Sequence, residues 1–283
     1  MTSSFPAPCE GPYAEVIGDP IAHSKSPTIH NFWLAALGIA AQYHRCHVTP
    51  DQLGAYFAAR REDPDWRGCN ITIPHKQAAL DFVADPGGVR GQIGAINTVF
   101  RNAGAGADGE WVGTNTDAGG FYAPIADIDL SGRHVVIIGA GGAARAVLFA
   151  LARVGTGRVT LLNRSPLKAA GLLAQFGLRG EVKPIGAPLP ADTALLVNTT
   201  SLGMAGQPPL EIDLSPLPDD ALVYDIVYTP LETPLLTAAH ARGLDTVDGL
   251  EMLVGQAAIA FELLFGAAPP RDRDDALRAV LTS

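Results

Sequence analysis

The chain has 283 residues, more than a single hydrophobic core usually serves, so two domains are expected. Apolar residues make up 47% of it and charged residues 17%, a balance that excludes disorder and supports a sizeable core. The formal net charge of −9 argues against a nucleic-acid partner held by broad electrostatics, but a local pocket can still take a small anion.

No stretch approaches the roughly 18 apolar residues of a membrane span. The first residues, MTSSFPAPCEGP, lack the basic start and apolar run of a signal peptide and read as a short flexible leader. Cys9, Cys46 and Cys69 fit neither a zinc spacing nor a disulfide framework. Reduced thiols in a cytoplasm are expected, each a small structural residue rather than a nucleophile.

Along the chain, Tyr13–Ile17 reads as a short apolar strand that ends at Gly18-Asp19-Pro20. Pro27–Leu37 reads as a helix, with Pro27 in its first turn and Gly38 as its stop. A strand at Gln42–Val48, a helix at Asp51–Arg61 and a strand at Gly68–Ile73, halted by Pro74, follow. Gly94–Phe100 and Trp111–Thr114 are expected to form a hairpin across Ala103-Gly104-Ala105-Gly106. A second block begins near Asp117 with the apolar strand His134–Ile138, of the kind buried on both faces. The helix-length segment Ala143–Val154 comes next, then strands at Val159–Leu162, Ala194–Val197 and Leu222–Ile226. The Pro184–Pro190 stretch is expected as a loop inside this block. The end of the chain is helical, over Leu250–Phe265 and Arg271–Leu281. Its run Arg271-Asp272-Arg273-Asp274-Asp275 reads as the solvated start of the last helix. Strands alternating with helices imply an α/β protein with mostly parallel sheets.

The segment HVVIIGAGGAARAVLFAL sets G-x-G-x-x-A between a buried strand and a helix. Gly139 permits the tight turn, and Gly141 lets the backbone approach a pyrophosphate. Ala144 takes the third, packing position. The N–H groups of Gly142 and Ala143, after Ala140 and Gly141, open the helix toward phosphate oxygens. An NAD site carries Asp or Glu at the end of the next strand, about 20 residues on. Here that strand ends in Asn163-Arg164-Ser165, with Lys168 one turn later. A guanidinium, a hydroxyl and an ammonium suit a 2′-phosphate, so NADP(H) is expected over NAD.

Four polar motifs stand at the carboxyl ends of expected strands, where open α/β sheets bind ligands. They are Ser24-Lys25-Ser26, Asn70-Ile71-Thr72-Ile73-Pro74-His75-Lys76, Asn97-Thr98 and Asn115-Thr116-Asp117. Taken singly, Ser26 could cap a helix, Asn97 could satisfy a turn and Lys76 could be solvated. Together their hydroxyls, amides, ammonium and carboxylate make a site for a polar, polyhydroxylated small molecule, and no metal-ligand spacing is present. Reducing a ketone in such a site needs a proton for the developing alkoxide. Lys76 is the best donor, and Asp117 can orient it. His75, beside Lys76, reads as structural.

These motifs, in this order, resemble the shikimate dehydrogenases of the bacterial biosynthetic type. The resemblance runs from Val16-Ile17-Gly18-Asp19-Pro20 to Gly255-Gln256-Ala257 and includes Asn198-Thr199-Thr200-Ser201 and Tyr224-Asp225-Ile226-Val227-Tyr228. It implies reversible reduction of 3-dehydroshikimate to shikimate with NADPH, a step toward chorismate and the aromatic amino acids. It implies substrate binding by Ser24, Ser26, Thr72, Lys76, Asn97, Asp117, Tyr228 and Gln256. It implies cofactor binding by Gly139 to Ala143, by Asn163, Arg164, Ser165 and Lys168, and by Ile226, Gly249 and Met252. The implied organisation is a substrate-binding catalytic domain of residues 1–116 and 249–283 around a Rossmann-like NADP-binding domain of residues 117–248. The partner is a small molecule, with neither nucleic acid nor membrane, and a homodimer is left open as the assembly.

Ser165 stands where the family commonly has threonine, and Lys168 where arginine is frequent, which removes bidentate geometry toward phosphate. An NAD-linked quinate/shikimate dehydrogenase is the rival enzyme. Arg164 and the missing acidic residue argue against it. A non-catalytic NADP-binding sensor is the rival of another class, and Lys76, Asp117, Tyr228 and Gln256 together argue against that.

Overall fold

Two open sheets organise the chain. The structure is a computed structural model that describes residues 5, 7–102 and 110–283. It divides into two compact units, one of residues up to Thr116 together with Gln256–Ser283 and the other of Asp117–Gly255.

In the first unit, β1 (Tyr13–Gly18) lies between β2 (Gln42–His47) and β3 (Trp66–Ile71), parallel to both. β4 (Thr98–Arg101) and β5 (Trp111–Thr114) continue the sheet antiparallel, in the order β2-β1-β3-β4-β5. The pairing of these last two strands matches the expected hairpin. Its glycine-rich stretch, Ala103 to Gly106, lies outside the described residues. Helix α1 (Ser26–Leu37) has Pro27 in its first turn and is closed by Gly38 at φ 64°, a left-handed position where glycine carries no Cβ penalty. The helix expected from Asp51 begins instead as a 3₁₀ turn at Pro50–Gln52, continued by α2 (Leu53–Arg61). Thr49 and Gln52 form a capping box around Pro50, which tightens that first turn. Helix α3 (Val89–Gln92) is a single turn.

The second unit opens with α4 (Asp117–Tyr122), β6 (His134–Ile138), α5 (Gly142–Arg153) and β7 (Arg158–Leu162). The short helices α6 (Pro166–Ala169) and α7 (Leu172–Gln175) lead to β8 (Gly180–Lys183). Then come β9 (Thr193–Asn198), β10 (Leu222–Asp225), α8 (Pro234–Ala241) and β11 (Asp245–Val247). The six strands are parallel in the order β11-β10-β9-β6-β7-β8, a doubly wound arrangement. β8 and β11 were not expected from the sequence, because these short edge strands are partly exposed and lack an apolar run. Helices α9 (Gly249–Phe265) and α10 (Asp274–Thr282) end the chain.

Alternation along β6 explains how its near-continuous apolar run is used. Val135 and Ile137 pack with Val147 and Leu151 of α5, whereas Val136 and Ile138 pack with Leu196 and with Leu236 of α8. Each such buried side chain contributes roughly 1.5–3 kcal/mol, so covering both faces is what holds the sheet.

The division between the units falls inside α9, between Gly255 and Gln256, rather than at Gly249. The physical reason lies in the first turns of the helix. Met252 is buried in the core on the α5 side of the second sheet, and a Cβ at Gly255 would stand 3.2 Å from the Gly120 backbone. Among the described residues no helix is long and apolar enough to cross a membrane.

Two buried polar features shape the first unit. Glu15 on β1 receives Arg60 of α2 through Nε (2.7 Å) and Nη2 (2.9 Å), and the Tyr56 hydroxyl donates to it as well. The Arg60 guanidinium also donates to the Phe5 carbonyl, so the pair is hydrogen-bonded at both ends. His30 on α1 is fully buried, stacked on Tyr43 at 4.0 Å and near Phe261 at 5.8 Å, and its ring nitrogens have no hydrogen-bond partner. Burial pushes this imidazole from the ordinary 6.5 down to about 3. The unfolded chain therefore takes up a proton that the folded chain refuses, and His30 costs stability as the pH falls through that window. Urea denaturation of His30→Phe and wild type across this pH range is expected to show the wild type losing stability more steeply. The difference is at most about 1.4 kcal/mol per pH unit for one proton, and equal slopes would count against it.

Candidate active site

In the first unit the polar motifs stand at the carboxyl ends of β1, β3 and β5, except that Asn97-Thr98, expected at a carboxyl end, opens β4, because that strand runs antiparallel to β3. Ser24 and Ser26 follow β1. Lys25 stands at the N-cap of α1 without a side-chain cap, so Ser26 is the first helical residue and not the cap. The Ser26 amide donates to Ser24 Oγ (3.3 Å), and the Ser24 carbonyl accepts from Arg45 Nε (2.9 Å). Lys25 Nζ reaches the Leu281 carbonyl of α10. Arg45 thus pins the serine turn from β2, and the turn's own Lys25 ties it to the last helix. Neither contact was legible in the sequence, because both partners are backbone carbonyls far along the chain.

After β3 the chain passes through Thr72, whose amide donates to the Ile17 carbonyl, and a cis Ile73–Pro74 bond to Lys76. His75 is buried, and its Nε2 lies 2.6 Å from the Val48 carbonyl. A carbonyl only accepts, so the ring donates there and anchors the turn, the structural role expected for it. The Lys76 carbonyl accepts from the Ile96 amide (2.7 Å), which ties the lysine's backbone to the approach of β4.

Asn97 is buried at the approach to β4. Its Nδ2 donates to Thr116 Oγ1 (2.8 Å) and Gln256 Oε1 (3.2 Å), and its Oδ1 accepts from the Thr116 amide (2.7 Å). The fold therefore brings Asn97 and Gln256 together across 159 residues of sequence. Asp117, also buried, opens α4 and with Tyr228 belongs to the second unit, so the expected substrate set is divided between the two.

The residues expected to bind the cofactor fall in the second unit. Gly139 follows β6 at φ 108°, and its amide donates to the Leu162 carbonyl. A Cβ there would stand 2.6 Å from Thr199 Oγ1, which itself donates to the Ile138 carbonyl. Thr199 braces the turn, a role the sequence did not disclose. Gly141 is the N-cap of α5 at φ −85°, with no side chain capping the helix, and a Cβ there would meet nothing within 4 Å. The space beside Gly141, at the start of α5, is therefore open, which fits a pyrophosphate. Ala140 is half-buried, and Ala144 is fully buried in the packing position.

At the end of β7, Asn163 Nδ2 donates to the Ser165 carbonyl (3.0 Å) and shapes the turn into α6. Arg164 is exposed and makes no ion pair among the described residues. The side chain of Lys168 lies outside the described residues. At the end of β10, Ile226 is half-buried, and a Cβ at Gly249 would stand 2.4 Å from its carbonyl oxygen. Only glycine allows that approach. Burial pushes the Cys46 thiol up to about 12, and Cys69 likewise upward, so neither is a thiolate at neutral pH.

Residues 16–99 match the shikimate dehydrogenase substrate binding domain, and residues 123–187 match the shikimate / quinate 5-dehydrogenase model. Residues 249–277 match the shikimate 5′-dehydrogenase C-terminal domain. The shikimate dehydrogenase (NADP(+)) of Sphingopyxis alaskensis is 65% identical over 276 residues, which span 98% of this chain and 99% of that one. The chain belongs to the shikimate dehydrogenase family. Among solved members, the shikimate 5-dehydrogenase of Thermus thermophilus in complex with NADP(H) and shikimate matches with a TM-score of 0.79 at 36% identity. That match covers 95% of this chain and 99% of the other. The ligand-free 5-ketofructose reductase of a Gluconobacter strain matches with a TM-score of 0.83 at 31% identity, covering 96% and 98%. The shared fold therefore does not by itself set the substrate, and the side chains must.

Gly139 and Gly141 are expected to respond differently to a methyl group. Gly141→Ala should melt as wild type does and bind NADPH about tenfold or more weakly, since its Cβ enters only the open space. Gly139→Ala should lower the melting temperature as well, because of its positive φ and the close Thr199. Thermal melts and calorimetric NADPH titration check both. Unchanged NADPH affinity in Gly141→Ala would remove the pyrophosphate from this turn.

Proposed function

We propose that this chain is a shikimate dehydrogenase that reversibly reduces 3-dehydroshikimate to shikimate with NADPH, on the route to chorismate and the aromatic amino acids. The observation that carries the reading is the 65% identity to the Sphingopyxis enzyme over 98% of the chain. The buried amide cluster beside the Lys76 turn and the uncapped glycine turn before α5 support it.

In this reading the cofactor residues belong to the second unit, and the substrate residues belong to the first except Asp117 and Tyr228. Gly139 to Ala143 take the pyrophosphate. Asn163, Arg164, Ser165 and Lys168 take the 2′-phosphate, with no acidic residue after β7 to repel it. Ile226, Gly249 and Met252 flank the nicotinamide. Bound NADPH supplies the hydride. Ser24, Ser26, Thr72, Asn97, Tyr228 and Gln256 hold the substrate's hydroxyls and carboxylate. Lys76 Nζ stabilises the developing alkoxide and gives it a proton, and Asp117 orients that ammonium. The reaction is assigned to the cytoplasm on the three free cysteines.

Shikimate and quinate, each offered with NADP+ and with NAD+, test the assignment by the absorbance of the reduced nicotinamide. Turnover is expected to be fastest with shikimate and NADP+, by about tenfold or more in kcat/KM over the other pairs. Faster turnover of quinate with NAD+ would make the chain the catabolic relative, and no turnover would leave a binding module. Lys76→Ala is expected to lower kcat by about 10²–10⁴-fold while leaving the NADPH dissociation constant nearly unchanged. A near-wild-type kcat would rule out the lysine.

A further inference from the structure

We propose that Asp225 is a positioning residue for the nicotinamide end of the cofactor, acting through the Ile226–Tyr228 segment; this rests on the NADP reading above. Asp225 is the last residue of β10 and is completely buried. It makes no ion pair with any cation among the described residues. Its Oδ1 accepts from Asn198 Nδ2 (2.9 Å) and from the Val227 amide (3.0 Å), and its Oδ2 accepts from Thr233 Oγ1 (2.7 Å). Burial raises its pKa above the ordinary carboxylate value, against the lowering effect of these three hydrogen bonds.

A buried carboxylate without a cation is costly, and a packed apolar residue would serve stability better at the same place. What an apolar residue could not supply is three acceptor positions aimed at three separate pieces of chain. Asn198 ends the neighbouring strand β9, Val227 lies in the segment leaving β10, and Thr233 is the N-cap of α8, where its hydroxyl also accepts from the Leu236 amide. The carboxylate therefore fixes both ends of the loop 226–233 and ties it to β9. Ile226 is held from the other side as well, its amide donating to the Asn198 carbonyl (3.2 Å). The Asn198 side chain is itself fixed, accepting from the Thr200 amide (3.0 Å) and donating to the Leu202 carbonyl (3.1 Å). Two strand-end loops are thus held by one buried amide–carboxylate pair.

The sheet order makes this role separable from the rest of cofactor binding. β10 is three places from β7, across β9 and β6, which at about 4.8 Å per strand puts the two strand ends about 14 Å apart. The 2′-phosphate residues follow β7, whereas Ile226 and Tyr228 follow β10. Loosening the loop after β10 should therefore leave the adenosine end undisturbed.

The experiment compares calorimetric binding of NADPH with that of 2′-phospho-ADP-ribose, which lacks the nicotinamide, in wild type and Asp225→Asn. The substitution is expected to weaken NADPH about tenfold and to leave the fragment within about twofold. It is also expected to lower kcat with shikimate about 10- to 100-fold, the scale of a small misplacement of reacting groups. Equal weakening of both ligands would make Asp225 a structural residue of the unit and overturn the proposal, as would no change in either. If Asp225→Asn does not fold, Thr233→Val and Thr233→Ser take its place. The valine is expected to weaken NADPH selectively and the serine to restore it, and identical behaviour of the two overturns the proposal. A wild type that binds neither ligand removes the NADP reading and this role with it. A wild type that binds both, with a variant that treats them alike, removes this role alone.

Discussion

A parallel strand that ends inside a protein leaves backbone amides and carbonyls that must find partners away from water. Both sheets of this chain meet that demand with short polar side chains at the edge where their parallel strands end, which in the first sheet is also where antiparallel β4 begins. Asn97 serves the first sheet, joining Thr116 and Gln256. Asn198 and Thr199 serve the second, one joined to Asp225 and the other to the Ile138 carbonyl. The groups that satisfy the backbone thus also build the floor on which ligands can be read, and loss of one unsettles several loops at once.

This constraint divides the labour between side chains and turns. Gly139 and Gly249 sit where another backbone or side chain leaves no room for Cβ, so they are fixed by packing as much as by any ligand. Gly141 meets nothing, and its lack of a side chain matters only to whatever occupies the space before α5. The serine turn after β1 is held by Arg45 on the Ser24 carbonyl and by its own Lys25 on the Leu281 carbonyl. That leaves backbone contacts to hold the turn's shape.

Much of the candidate site was legible because its signals are local. The buried strand, glycine turn and apolar helix of His134 to Val154 follow one another directly, and their spacing alone announces a dinucleotide. The Asn163-Arg164-Ser165 stretch is local too, since it ends the next strand. The edge strands β8 and β11 were missed because a strand with one partner and an exposed face needs no apolar run. The boundary at Gly249 was placed seven residues early, because a helix signal does not say against which core its first turns pack. Arg45 carries no signal in the sequence, and Thr199 and Asp225 lie in motifs of the resemblance without a legible role, since the partners of all three are distant in sequence or are backbone atoms, which leave no mark on residue type.

The sequence by itself determined the order of the elements, the glycine turn and the set of polar residues at the strand ends. All of these follow from periodicity, backbone freedom and residue chemistry within a few positions. Only the tertiary structure decided that Asn97 meets Gln256, that His75 anchors the Lys76 turn, and that Asp225 is buried among three donors. These are contacts between segments whose separation along the chain carries no information about their separation in space. They exist because packing brings the strand ends together and their buried polar groups must then be satisfied by whatever lies across from them.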